Sequence, residues 1–439
     1  MGAGNGISNI QQGISNSQVG ENDERTRQMT KVPNRVQMAK MVGGVLEKTP
    51  LVDVHTHLYD PGLGNVLLWG IDELLTYHYL VAEVFRARPE MDYDSFWKLS
   101  KVRQADLIWE ELFALRSPVS EACRGVLTVL HSLGLKTKVK DLGAIRKFYA
   151  KWDVRDYVDQ VLDLANIKHL YMTNDPMDTL EVAGWKKKFV RDERFRGVLR
   201  LDSAMMGWPQ GVMKLREMGY ACDDALTGNT IAQVRRYLND WCDKFDARYM
   251  AISLPPAFRY PDVHSPVTTL LTKAAVPVAR ERGIPLALMI GVKKLINPSL
   301  KLAGDGVGKS DIDTVEALAR DFGDVRFLIT MLARENMHEL CIASRKFKNV
   351  TPFGCWWFLN NPSLIDEITR MRMETLGLSF VPQHSDCRVL DQMIYKWTHS
   401  RGIIANVMTD KYMDIAAAGW VPTKADVERD IKQMFDVNL

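Results

Sequence analysis

Two histidines one residue apart, His55 and His57 in the stretch LVDVHTHLYD (51–60), are the first groups in the chain whose type and spacing could do chemistry. The run that carries them is apolar and β-branched and reads as a buried strand, so alternation places Asp53, His55 and His57 on one face. Neutral imidazoles in a pair suit Zn²⁺, Fe or Mn, and a catalytic zinc takes three protein ligands while keeping one position open. The third ligand has to come from elsewhere in the chain. In HSDCR (384–388), Asp386 and Arg388 share a face if the strand geometry continues. A carboxylate there could bind a metal or move a proton, beside a guanidinium that holds an anionic or hydroxylated group. His384 has the same parity, and ligand, supporting and plain core readings all stay open for it. The bland alternatives are a structural His-x-His and a surface ion pair.

Two other stretches draw notice. In LTYHYLVAE (75–83), His78 and Tyr79 interrupt an apolar helical series; a lone helical histidine is more often a satisfied interior group. In FGCWWFLNNP (353–362), Trp356 and Trp357 are either core or an apolar wall that excludes water and stacks on a sugar face.

The elements that must position these groups recur along the chain. Short apolar runs alternate with amphipathic stretches, the pattern of βα units around a parallel sheet. The runs are LVDVHTH (51–57), KHLYMTN (168–174), RGVLRLD (196–202), ARYMAISLP (247–255), IPLALMIG (284–291), VRFLITML (325–332), NVTPFGC (349–355) and LSFVPQHSD (378–386). Eight of them predict an α/β chain folded as a (β/α)8 TIM-type barrel, with its active site where the strands end. The segment at about 62–165 has a mainly helical pattern and reads as a helical subdomain inserted between strands 1 and 2. Residues 1–34, rich in Gly, Asn, Ser and Gln, read as a flexible tail, and 35–439 as the barrel. The stretch DPMDTLE after strand two is expected to begin a helix with Asp175 before Pro176.

Chemically capable residues gather at the predicted strand ends: His55 and His57 at strand one, Asn174 and Asp175 after strand two, Arg200 and Asp202 at strand three, Asp386 and Arg388 at strand eight. Strands four to six end in SLP, MIG and TML and contribute little. GDGVGKSD (304–311) fails as a phosphate loop, because the motif needs glycine at Ala303, and it reads as a flexible loop after strand five.

Composition removes whole classes of function. The 57 Lys and Arg against 54 Asp and Glu leave a dispersed net charge of +3, which does not fit a nucleic-acid surface. The six cysteines form no CxxC pair and no disulfide framework, so a reducing cytoplasm is expected. Neither a signal-peptide pattern nor a run approaching the ~20 residues of a membrane span occurs. No membrane partner is expected, and a homo-oligomer is compatible with everything above.

Taken together, DVHTHL, LTYHYLVAE, TNDPMDTLE, VLRLD, FGCWWF and SDCR resemble, in order and barrel position, the uronate isomerases, the glucuronate isomerase branch of the amidohydrolase superfamily. The resemblance runs from about residue 35 to the end of the sequence. It implies a barrel with one divalent metal, Zn²⁺ first among candidates, that interconverts D-glucuronate with D-fructuronate or D-galacturonate with D-tagaturonate. It implies His55, His57 and Asp386 as metal ligands, with Asp386, Arg388, His78 and Tyr79 as the catalytic set. Arg200, Asp202, Trp356 and Trp357 would bind the sugar acid. On this reading Asp386 starts the proton transfer, Arg388 holds the oxyanion, Arg200 neutralises the substrate carboxylate, and His78 and Tyr79 assist ring opening or hydrogen-bond the sugar. Two departures bear on substrate. Ala287 and Met289 stand where the family pattern has Gln and His, and Arg-Pro-Asp becomes Arg200-Leu201-Asp202; the missing histidine argues for one metal rather than a bridged pair. The same pocket could serve a lactonase or a decarboxylase of a sugar acid, because a metal site supports those reactions equally well. A barrel that only binds a metal or sugar acid is the third class.

Overall fold

The computed structural model describes residues 33–438, so nearly all of the predicted tail lies outside the described residues. Seven parallel strands form one curled sheet in chain order: β1 (Leu51–Thr56), β2 (Ile167–Asn174), β3 (Phe195–Arg200), β4 (Met250–Leu254), β5 (Leu286–Ile290), β6 (Phe327–Met331) and β7 (Val350–Pro352). Every residue of β1, β5 and β6 is buried. Helices cover the outer face and side chains fill the inner one, which is why these strands are nearly continuous apolar runs rather than alternating ones. The connection from β1 to β2 carries the helices of the expected insertion, among them Ile71–Leu75, His78–Ala87, Lys101–Trp109, Glu121–Ser132 and Val154–Ala165.

The eighth run does not form a ladder. Residues 378–386 make a single bridge, Phe353 with Val381, because Pro382 lacks an amide hydrogen and Asp386 takes a left-handed backbone (φ 51°). The segment nevertheless bonds both edges of the sheet. The Gly354 amide donates to the Val381 carbonyl (2.9 Å), the Asp386 amide to the His55 carbonyl (3.0 Å) and the His57 amide to the Cys387 carbonyl (2.7 Å).

What holds this irregular segment is the helix Gln392–Ala417 behind it. One face of that helix carries Gln392, Lys396, Trp397 and Ser400, at spacings that line up along a helix. The Gln392 side chain accepts from the Arg388 and Val389 amides (3.0 and 3.2 Å), and the Lys396 ammonium donates to the Ser385 carbonyl (2.6 Å). The Ser400 hydroxyl accepts from Gln383 (3.3 Å). The Trp397 indole donates to Asp53 (2.8 Å), whose other oxygen accepts from the Ser385 amide (3.0 Å). Farther along, Arg401 donates to the carbonyls of Leu46 and Ala165 at the ends of two other helices, where a cation meets the negative end of each helix.

Two local expectations change. The helix after β2 begins at Thr179, capped by Asp178 through the Leu180 and Glu181 amides (2.9 Å each), and not at Asp175–Pro176. The supposed flexible loop 304–311 is half of a hairpin: Gly306–Val307 pairs antiparallel with Val292–Lys293. Its base is tied by the Lys294–Asp305 ion pair (2.7 Å), and Gly306 lies so close to Ile296 that a Cβ would clash. All six cysteines are free and buried. No helix among the described residues is long and apolar enough to cross a membrane.

Replacing Asp53 by alanine strands two buried donors, the Ser385 amide and the Trp397 indole. A loss of about 2–4 kcal/mol in unfolding free energy is expected by urea denaturation.

Candidate active site

The carboxyl ends of the strands surround a cavity of about 390 Å³. His55, His57, His78, Arg200, Asp202, Trp356, Trp357, Asp386 and Arg388 all line it. Tyr79 is set back, its hydroxyl at 3.5 Å from the Trp357 carbonyl, and Tyr77 lines the cavity in its place. Sequence reasoning passed over Tyr77, whose signal was its place beside His78 in the same helical turn.

The two strand-borne histidines and Asp386 form one cluster, with a ligand atom from each lying within 4.8 Å of the others. The hydrogen bonds behind the imidazoles fix their tautomers. Thr173 donates its hydroxyl hydrogen to the Thr56 carbonyl (2.9 Å), so at 2.9 Å from His57 Nδ1 it can only accept. Tyr249 likewise donates to the Val54 carbonyl (2.6 Å) and accepts from His55 Nδ1 (3.3 Å). Both rings therefore carry hydrogen on Nδ1 and present a bare Nε2 lone pair. Those lone pairs face Asp386 Oδ1 at 3.7 Å from His55 and 3.2 Å from His57. Burial keeps both rings neutral, lowering His55 to about 3 and His57 well below its ordinary value. Three acceptors converging with no hydrogen between them repel one another, and a cation resolves the conflict. This donor set, with each Nδ1 tethered by an oxygen behind it, fits a divalent metal.

The cationic side of the cavity is built just as firmly. Arg200 at the end of β3 bonds Asp202 (3.1 Å), and Asp202 is turned by the Ser253 amide (3.2 Å). The charge of that carboxylate is the chief influence that raises Arg200 above its ordinary value. Arg388 forms no ion pair among the described residues, and its backbone is pinned by Gln392. His78 is held neutral, down to about 3, chiefly by burial. Its Nε2 accepts the Trp357 indole hydrogen (3.0 Å), which leaves the Nδ1–H as its free donor. Trp357 reaches it from a left-handed backbone (φ 47°), rare for a bulky side chain and typical of a functional constraint. Ala251 of β4, Met289 of β5, Val292 after it and Trp356 after β7 give the cavity apolar surface, with Ser253 of β4 among them.

Three predicted candidates have other surroundings. Asn174 and Asp175 turn away from the cavity: Asn174 donates to Glu181 (2.7 Å), and Asp175 accepts from the Ser203 hydroxyl. His384 lies fully buried behind His55 (ring centroids 5.1 Å apart), with neither ring nitrogen hydrogen-bonded among the described residues. It fits only because position 354 is glycine: a Cβ there would sit 1.9 Å from the ring.

A parallel barrel whose first strand presents a His-x-His pair to an aspartate in the ring-closing segment defines a metal-site barrel enzyme. No family model and no curated protein matches the chain. Among solved structures it is similar to a uronate isomerase from Bacillus halodurans, with 50% identity over 93% of this chain and 96% of that one and a TM-score of 0.90. A uronate isomerase from Thermotoga maritima (17% identity, 93% and 97% coverage, TM-score 0.72) and a glucuronate isomerase from Caulobacter crescentus (12%, 93% and 95%, TM-score 0.74) share the fold. The chain belongs to the uronate isomerase family.

One acid of the support layer sets a pH dependence. Glu181 accepts from Asn174, the Asp175 amide and the Trp185 indole, yet burial dominates and pushes it up from about 4.5 to about 7. The folded state then keeps a proton that the unfolded chain releases, so this group's contribution to stability falls as pH rises through that window. Relative to the wild type, Glu181→Gln is expected to gain about 3 kcal/mol between the two ends of the window, measured by urea denaturation across pH.

Proposed function

We propose that the protein isomerises a hexuronate, D-glucuronate to D-fructuronate or D-galacturonate to D-tagaturonate, at the cavity above the strands. The observation that carries this reading is the opposition, in one enclosed site, of the His55–His57–Asp386 acceptor cluster to Arg200 and Arg388. A uronate needs both: a cluster that manages a hydroxyl or carbonyl, and guanidinium groups for its charge.

The reaction moves the C2 hydrogen to C1 as a proton, and the O2 hydrogen to O1, through an enediol. It therefore needs a base that can return its proton and a partner for the oxyanion. His55, His57 and Asp386 would hold one divalent metal, and their two nitrogens and one oxygen suit Zn²⁺. Bound there, the ion would supply a Lewis acid that polarises a substrate oxygen. Asp386, with Oδ1 turned to the histidines, has a second oxygen to take the C2 proton and return it at C1. Arg388, with its backbone fixed by Gln392, holds the charge that grows on the enediolate. Arg200, oriented by Asp202, pairs with the substrate carboxylate as a planar fork. Neutral His78 donates from Nδ1 to a sugar hydroxyl, and Tyr79 supports it through the Trp357 segment. Trp356 and Met289 exclude water. The barrel and its inserted helices act as one catalytic unit, and six free buried cysteines suit a reducing cytoplasm.

The direct test measures ketose formation from both aldoses on protein of known metal content. Turnover of one aldose with about one metal per chain is the expected outcome; metal without turnover of either would defeat the reading. Asp386→Asn is expected to lower kcat by about 10³-fold. Thr173→Val removes the acceptor behind His57 and should weaken metal retention by roughly 10–100-fold in a chelator competition, with the fold unchanged by circular dichroism.

A further inference from the structure

At the opposite end of the barrel, where the strands begin, a second cavity of about 540 Å³ opens. Barrel enzymes place chemistry at the other face, and residues at this one ordinarily serve stability. The lining does not read as stabilising. Four arginines reach it: Arg196 near the start of β3, Arg248 before β4, Arg326 before β6, and Arg280 from the helix Val276–Arg282.

Two of the four are neutralised nearby, Arg280 by Asp324 (2.9 Å from Nη2) and Arg248 by Asp246 (3.0 Å). The other two have only neutral acceptors among the described residues. Arg196 Nη2 meets His169 Nε2 at 3.2 Å, and Arg326 donates to the Asn438 carbonyl. The remaining acid of the lining, Asp436, is occupied by Lys168 (2.9 Å). Arg326 is partly buried, and desolvation lowers it from its ordinary value. Two guanidinium groups thus face one cavity with no acidic partner among the described residues, which leaves their donors open to an anion. A guanidinium presents paired donors matched to two oxygens of a phosphate or carboxylate, and the volume suits a small molecule.

We infer that this cavity is a second binding site, for a small molecule bearing a phosphate or carboxylate, with Arg196 and Arg326 as its anion-holding groups. One side chain stands between the site and the catalytic centre. The Tyr249 ring lines the lower cavity, while its hydroxyl accepts from His55 Nδ1 at 3.3 Å. An occupant would thus be one side chain away from the imidazole pair.

Calorimetric titration with inorganic phosphate tests this, because it reads binding without turnover. Saturable binding at one equivalent per chain is expected, weakened about tenfold or more in Arg196→Met and in Arg326→Met and unchanged in Arg200→Met. Arg326→Lys keeps the charge but loses the fork, and an intermediate affinity is expected from a variant that folds. Malonate should compete with phosphate. The inference is overturned by the absence of saturable binding at millimolar phosphate. It is equally overturned by binding that disappears in Arg200→Met yet survives in Arg196→Met and Arg326→Met, which would place the anion in the upper cavity, or by malonate and phosphate binding together.

Discussion

Asp53 accepts hydrogen bonds from the Ser385 amide at 3.0 Å and the Trp397 indole at 2.8 Å, and the upper face of the barrel depends on that junction. It joins the strand that carries His55 and His57 to the segment that carries Asp386 and Arg388, at the place where no regular ladder exists. A ladder would have fixed every side chain by alternation. Without one, Gln383, Ser385, Arg388 and Val389 are held by separate bonds to the helix behind, and Asp386, its amide bonded to the His55 carbonyl, takes the left-handed backbone that aims its carboxylate at the histidines. The junction is buried deeply enough that Asp53 is pushed up to about 6. Folding bears that cost in return for a site whose halves cannot drift apart.

The electrostatics of the cavity follow from this closure. Thr173 and Tyr249 each spend their only hydroxyl hydrogen on a β1 carbonyl, and that choice propagates through the imidazoles to leave two lone pairs facing a carboxylate oxygen. The conflict is built in by hydrogen-bond direction alone. It is the same logic by which metal sites elsewhere orient their ligands from behind. On the facing side, Asp202 bonds the Arg200 guanidinium and Gln392 holds the Arg388 backbone.

Part of this was legible in the sequence, for identifiable reasons. The His-x-His pair follows from the two-residue period of a strand, and seven of eight strands follow from apolar runs with turn residues between them. The eighth run misled because LSFVPQHSD is apolar enough to pass as a strand, while Pro382 and the backbone of Asp386 decide otherwise. Asn174 and Asp175 sit at a strand end as a barrel site residue should, yet Glu181, six and seven residues on in the next helix, folds back to bond them, a turn that strand alternation does not announce. The same limit explains Tyr77: helical phase cannot say which of two tyrosines flanking His78 meets the cavity. Asp53 was placed on the correct face, but its two donors come from residues more than three hundred positions away.

Met289 shows how a single strand position bears on the chemistry. On β5 a thioether stands at the cavity, with Ser253 of β4 and Thr330 of β6 on either side of it in the sheet. The residues that β4 and β5 themselves turn to the cavity, Ala251, Ser253 and Met289, offer neither a nitrogen ligand nor a carboxylate. Among the described residues, the His, Cys, Asp and Glu side chains that gather closely enough to hold a metal are His55, His57 and Asp386. The polar demands of a sugar acid then fall on the remaining arc, where Arg200, Arg388 and His78 stand. A substrate satisfied by this cavity turns its least polar edge to Met289 and Trp356, whose side chains offer it only apolar surface on that side.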